Sequence, residues 1–206
     1  MHKDLTAESF DIFADQEQVR ARVIGVVENQ APTKALEANL NTRDDIVQMD
    51  RENDVAQIAL VERHRATGAV QNAFVKGFGY NTDCAMASTV AHDSHHMIVV
   101  GTNKEDMAKA ANRLKDVGGG ITLFAGGEEK ALVELPIAGL MSSERSDIVA
   151  AKADTLMQAM KACGCTLNNA YMQHSLLALV VIPELRISDL GLVDVTKFEV
   201  TELFVE

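Results

Sequence analysis

Ser88-Thr89-Val90-Ala91-His92-Asp93-Ser94-His95-His96-Met97-Ile98-Val99-Val100-Gly101 holds three of the chain's six histidines, one carboxylate and two serines within nine residues. Apolar runs from Cys84 to Ala91 and from Met97 to Val100 bracket the polar cluster, a pattern that predicts strand, sharp turn, strand. Such a turn fixes the histidines at the end of a sheet, where polar groups stand clear of the core. This segment is therefore the leading site candidate.

Working outward, Arg20 to Glu28 (RARVIGVVE), Val55 to Arg63 (VAQIALVER) and Ala73 to Phe78 read as strands, the last two separated by a turn at Thr67-Gly68. Pro32 to Leu40 reads as a short helix, and Asn41 to Asn53 as a turn or exposed hairpin. Downstream of the histidines, Asn103 is a good helix N-cap, with Glu105 and Asp106 in the first turn where the helix dipole favours negative charge. Met107, Ala111 and Leu114 form one apolar stripe, and Gly118-Gly119-Gly120 stops the helix. Ile121 to Phe124 and Ala131 to Leu135, joined through Gly126-Gly127, predict a hairpin.

A second helix follows Ser142-Ser143 and runs to about Ala162, carrying Val149, Ala153, Leu156, Met160 and Cys163 on one face, with Gly164 as its stop. Tyr171 to Val181 is read as a third helix and Phe198 to Val205 as a closing strand. Residues 1–17 are a polar N-terminal lead-in, and residues 18–206 make the domain. The expected fold is α/β (α+β): one compact domain with a mixed β-sheet and packed helices.

Composition narrows the function. With 206 residues and 47% hydrophobic side chains a core is assured, yet aromatic residues are only 4%, so Val, Leu, Ile, Ala and nine Met must fill it. A net charge of −11 repels phosphate backbones and argues against nucleic-acid partners, while leaving a neutral nucleobase open. No apolar run approaches the ~18–20 residues that span a bilayer, and the N-terminus lacks the apolar region of a secretory signal, so no membrane partner is expected. Cys84, Cys163 and Cys165 contain no CxxC pair and read as reduced thiols in a cytoplasm.

The histidine cluster admits three readings. His92 with His95 or His96 has spacings that can share a metal, with Asp93 as an oxygen ligand or orienting group, but a complete site needs further ligands and only His2, His64 and His174 remain. Alternatively, the segment is a polar turn in which Asp93 and Ser94 bond the backbone. In the third reading the loop completes a site that belongs to another domain. A nucleophile such as Ser88, Ser94 or Cys84 paired with His92 and Asp93 would lack triad geometry, and no Gly-x-Ser-x-Gly elbow is present. Glu134 to Ser142 (ELPIAGLMS) is a second dense segment, open between a tight turn and a binding role, and Glu62 with His64 marks a strand end.

The run TVAHDSHHMIVVGTNKEDMAKAANRLKDVGGGI, followed by LVELPIAGLMS and LALVVIPELRISDLGLVDV, resembles the C-terminal domain of adenine deaminases of the amidohydrolase superfamily. Arg22 to Val27 and Val61-Glu62-Arg63-His64 resemble upstream segments of the same domain. One departure is Tyr171-Met172-Gln173-His174-Ser175, where the family pattern is closer to Phe-Met-Thr-Leu-Ser. The resemblance implies hydrolysis of adenine to hypoxanthine and ammonia in purine salvage, with a divalent metal (manganese or iron) activating water. It places the metal ligands on an N-terminal barrel and none on this chain. The chain itself is then expected to need no cofactor, to be inactive alone, to pair with a barrel domain or subunit, and to form a homo-oligomer. His92, Asp93 and His95 are expected in supporting catalytic roles, with Ser94 and His96 contacting the purine. The alternative is a stand-alone domain that binds a purine-like small molecule without catalysis.

Overall fold

Burial on both faces of three central strands decides the architecture. In the computed structural model, which describes residues 3–205, β4 (Val55–Val61), β6 (Cys84–Ser88) and β7 (Met97–Gly101) are buried along their whole length. Ala59, Val61, Ala85, Ala87 and Val99 face one layer, whereas Ile58, Leu60, Met86, Ile98 and Val100 face the other. Both faces are covered, which explains why these strands read as continuous apolar runs instead of alternating ones.

These strands form the middle of a nine-stranded mixed sheet among the described residues. Its other members are β1 (Gln18–Gly25), β2 (Lys34–Arg43), β3 (Ile46–Val47), β5 (Val70–Lys76), β8 (Gly120–Ala125) and β9 (Glu128–Glu134). The order is β3-β2-β1-β5-β4-β7-β6-β8-β9, and β1 with β5 makes a parallel pair. On one face lies α1 (Lys104–Val117), whose Met107, Ala111 and Leu114 meet β6, β7 and β8. On the other lie α2 (Ser146–Ala162), α3 (Ala170–Leu176) and a small sheet of β10 (Leu185–Ser188), β11 (Gly191–Asp194) and β12 (Glu199–Val200). The result is one α/β domain.

Local chemistry sets the helix ends. Asn103 accepts a hydrogen bond from the Asp106 amide at 2.9 Å, and Gly118 closes α1 in the left-handed conformation at φ 82°. Gly119 and Gly120 then allow close chain approach: a methyl group on Gly119 would sit 2.4 Å from the Gly139 Cα, and one on Gly120 would sit 2.2 Å from the Val133 oxygen.

Four expectations are corrected. The segment Pro32 to Leu40 is not a helix: from Lys34 it is strand β2, paired antiparallel with all eight residues of β1. Its Ala, Leu and Glu favour helix locally, but Leu36, Ala38 and Leu40 alternate onto one face and the pairing prevails. The second helix starts at Ser146, and the Ser142 hydroxyl instead accepts from the Glu144 amide at 3.2 Å. The third helix stops at Leu176, because the buried Arg186 guanidinium donates to the carbonyls of Leu176 (2.9 Å), Ile182 (2.7 Å) and Ala31 (2.5 Å). The closing strand reduces to Glu199–Val200 and a single bridge from Phe204 to Ala21.

Candidate functional site

Register builds the site. Val61 of β4 is paired with Met97 of β7, so the residues that leave β4 run back alongside those that enter β7. Glu62, Arg63 and His64 therefore meet Ser94, His95 and His96. The His64 Nε2 lies 2.5 Å from the Ser94 carbonyl and donates to it, and the His64 and His96 rings are 4.7 Å apart. Arg63 donates Nε–H to the His95 carbonyl at 2.5 Å and Nη2–H to the Ala138 carbonyl at 3.0 Å.

Within the turn, the His95 amide bonds the Ala91 carbonyl at 2.7 Å, and the Ala91 amide donates to His95 Nδ1 at 3.2 Å. That second bond leaves the proton of a neutral His95 on Nε2, pointing the ring outward as a donor. His92 stands edge-on to His95 at 5.2 Å, and its amide bonds the Ser175 carbonyl at 3.0 Å. Asp93 and Ser94 are exposed at the tip, and His92 and His95 are half-buried. His96 is buried, with Nε2 3.8 Å from an Asp189 carboxylate oxygen and Nδ1 unpartnered.

The electrostatics favour uncharged imidazoles. Burial, followed by the neighbouring His92, lowers the His95 pKa from its ordinary value; burial, followed by His64, does the same for His96. Glu62 behaves differently. Burial alone would raise its pKa, but bonds from the Arg65 amide (2.7 Å), the Thr67 amide (2.9 Å) and the Thr67 hydroxyl (2.8 Å) bring it down to about 2. Glu62 is thus an ionised anchor for the bend that carries Arg63 and His64.

A second loop joins the first. Thr89 donates its hydroxyl to the Gly139 carbonyl at 2.6 Å and accepts from the Gly120 amide at 2.8 Å, tying Leu135 to Met141 against the histidine turn. Arg63, Thr89, Met97, Leu114, Lys115, Gly118 and Gly119 line a cleft of about 180 Å³ at the end of α1. Larger clefts, of about 600 and 740 Å³, open at the other end of β4 and β6 around Arg51 and Thr82 and share no wall with the histidines.

The sequence-predicted residues His92, Asp93, Ser94, His95 and His96 do lie on one turn, but their side chains diverge: His96 faces inward, Asp93 and Ser94 outward. Of the other histidines, His64 joins the cluster, His174 is buried in the core beneath it, and His2 lies outside the described residues. Among the described residues no three His, Cys, Asp or Glu side chains come together as a metal-binding group. Sequence reasoning missed Arg63, Thr89 and Asp189 as partners of the turn. The available signal was the pairing of two neighbouring apolar runs, which brings Arg63 opposite the histidines.

Known proteins similar to this chain are adenine deaminases. The family model described as "Adenine deaminase C-terminal domain" matches residues 30–199. The chain is 72% identical over 98% of its length to "Adenine deaminase 3" of Rhizobium meliloti, of which it covers 34%. It is 69% identical to "Adenine deaminase" of Mesorhizobium japonicum and 44% identical to that of Clostridium botulinum, in each case over 98% of this chain and 34% of the relative. The chain thus spans about a third of the length of the curated relatives it matches.

Proposed function

This chain belongs to the adenine deaminase C-terminal domain family, and from that premise we propose that it completes the active site of a metal-binding barrel that hydrolyses adenine to hypoxanthine and ammonia. The observation that carries the reading is the match itself: nearly the whole chain aligns at 72% identity with about a third of a protein named for that activity. On this reading the protein works in the cytoplasm in purine salvage, as a homo-oligomer.

A divalent metal, manganese or iron, supplies the activated water in such an enzyme. The residues of this chain do not fit that metal. Among the described residues no metal-binding group of three donors is present, His95 Nδ1 already takes the Ala91 amide, and His64 Nε2 is engaged by Ser94. The chain's own contribution is to present neutral donors and acceptors and to exclude water.

Neutral imidazoles suit an uncharged purine, because they offer hydrogen bonds without the cost of desolvating a charge. His95 offers its Nε2 proton outward, His92, Asp93 and Ser94 stand beside it at the tip, and the buried His96 supports the turn from within, against Asp189. Groups so placed typically contribute about 10²–10⁴ in rate.

The test joins the preceding two thirds of the Rhizobium meliloti relative to this chain and measures ammonia release from adenine. The chimera is expected to turn over, and His92→Ala with His95→Ala to lower turnover at least about 100-fold while leaving the fold intact. Equal turnover would make the domain a scaffold. This chain alone should release no ammonia above a heat-treated control.

A further inference from the structure

The loop from Leu135 to Met141, bonded to the histidine turn through Arg63, carries three exposed apolar side chains. Ile137, Leu140 and Met141 are 46%, 36% and 58% exposed. They occupy a turn of five residues closed by bonds between Ile137 and Met141. Contiguous apolar side chains on a rigid loop mark an interaction surface, whereas single exposed ones do not.

This loop is held rather than free. Arg63 spans from the His95 carbonyl to the Ala138 carbonyl, Thr89 takes the Gly139 carbonyl, and Gly119 packs so closely that a methyl group there would meet the Gly139 Cα at 2.4 Å. Ala138 and Gly139 both adopt left-handed backbone, at φ 59° and 75°. A partner that docks on Ile137 and Met141 therefore meets the histidine turn in a fixed geometry.

The start of the described chain lies at the same end of the molecule. Asp4 pairs with Lys115, and Leu5 exchanges two hydrogen bonds with Asn112 (2.9 and 2.8 Å), both on the last turns of α1. Those turns end at Gly118 and Gly119, directly against the loop. In the full-length relatives about two thirds of the protein lies outside the matched part, and the family description makes the matched part C-terminal. In those relatives the region before the matched part is joined to the stretch that corresponds to Asp4 and Leu5, which here pack on the last turns of α1.

We propose that the Ile137–Met141 loop, tied by Arg63 to the histidine turn, is the apolar anchor on which the N-terminal two thirds of the full-length enzyme docks. The proposal rests on the reading that this domain serves such a partner, and it names the surface. A specific interface buries on the order of 800 Å² per partner around a few well-packed apolar side chains, and this loop supplies that centre.

Hydroxyl-radical labelling with mass spectrometry tests it, comparing this chain alone with the chimera described above. Labelling of Ile137 and Met141 is expected to fall by about tenfold in the chimera, as for side chains that enter an interface core. Phe198, 85% exposed on the turn at the far end of β11 from Asp189, should label equally in both. If other residues are protected while Ile137 and Met141 are not, the anchor is elsewhere and the proposal falls, although the domain still serves a partner. If no residue of the domain is protected in the chimera, the reading beneath it falls as well.

Discussion

The Arg63 guanidinium donates its Nε–H to the main-chain carbonyl of His95 at 2.5 Å, so one side chain at the end of β4 fixes the turn that leads into β7. Its second bond, to Ala138, makes the same residue the joint between two loops. Planar guanidinium geometry suits this task, since the donors are arranged as a rigid fork.

Replacing Arg63 by Met should therefore loosen both loops while sparing the core. A charge-assisted bond to a carbonyl is worth about 1.5–3 kcal/mol when buried and less at a wet edge, so a loss of about 1–2 kcal/mol is expected in urea unfolding. Hydrogen exchange should accelerate at residues 92–96 and 137–141 together. Acceleration at only one loop would show that the two are not joined through Arg63.

A second prediction concerns His174, which is fully buried, edge-on to Phe78 with ring centroids 6.2 Å apart, and has no hydrogen bond to either ring nitrogen. Burial lowers its pKa from 6.5 to about 3. Between those values the unfolded chain binds a proton that the native state does not. His174 thus costs stability as pH falls from about 6.5 towards 3, by at most ~1.4 kcal/mol per pH unit. His174→Leu, the residue type expected there from the family pattern, should flatten the loss between pH 7 and pH 4 in denaturant titrations. An unchanged slope would assign the acid sensitivity to other groups.

The glycines supply a paired prediction. Gly119→Ala would place a methyl group 2.4 Å from the Gly139 Cα, at φ 125°, and is expected to cost more than about 3 kcal/mol and to displace the Leu135–Met141 loop. Gly126→Ala has the same chemistry in open space at φ 61°, and only the backbone penalty of about 1 kcal/mol should appear. Thermal unfolding of both variants separates close approach from conformational strain; equal losses would contradict the packing argument.

Much of the fold was legible because short-range patterns carried it. The Asn103 cap, the Met107-Ala111-Leu114 stripe and the Gly126-Gly127 hairpin each lie within one local segment, and each is present. Pro32 to Leu40 failed as a helix because its identity depends on pairing with β1, which no local window contains. The small sheet was only partly legible: Phe198, the first residue of the expected strand, takes a left-handed backbone at φ 55° and lies in the turn before β12, while β10 and β11 pair with each other through the Asp189-Leu190 turn.

For the site, the sequence by itself determined that histidines 92, 95 and 96 occupy one turn between two apolar strands, since adjacency along the chain requires no tertiary information. It also determined family membership, through long matching segments. Only the tertiary structure decided that His64 and Arg63 join that turn, that His96 faces Asp189 from a buried position, and that the apolar loop at Ile137 is clamped beside it. The physical reason is register: the Val61–Met97 pairing brings together groups about thirty residues apart, and side-chain direction then follows from the two-residue period of the strands.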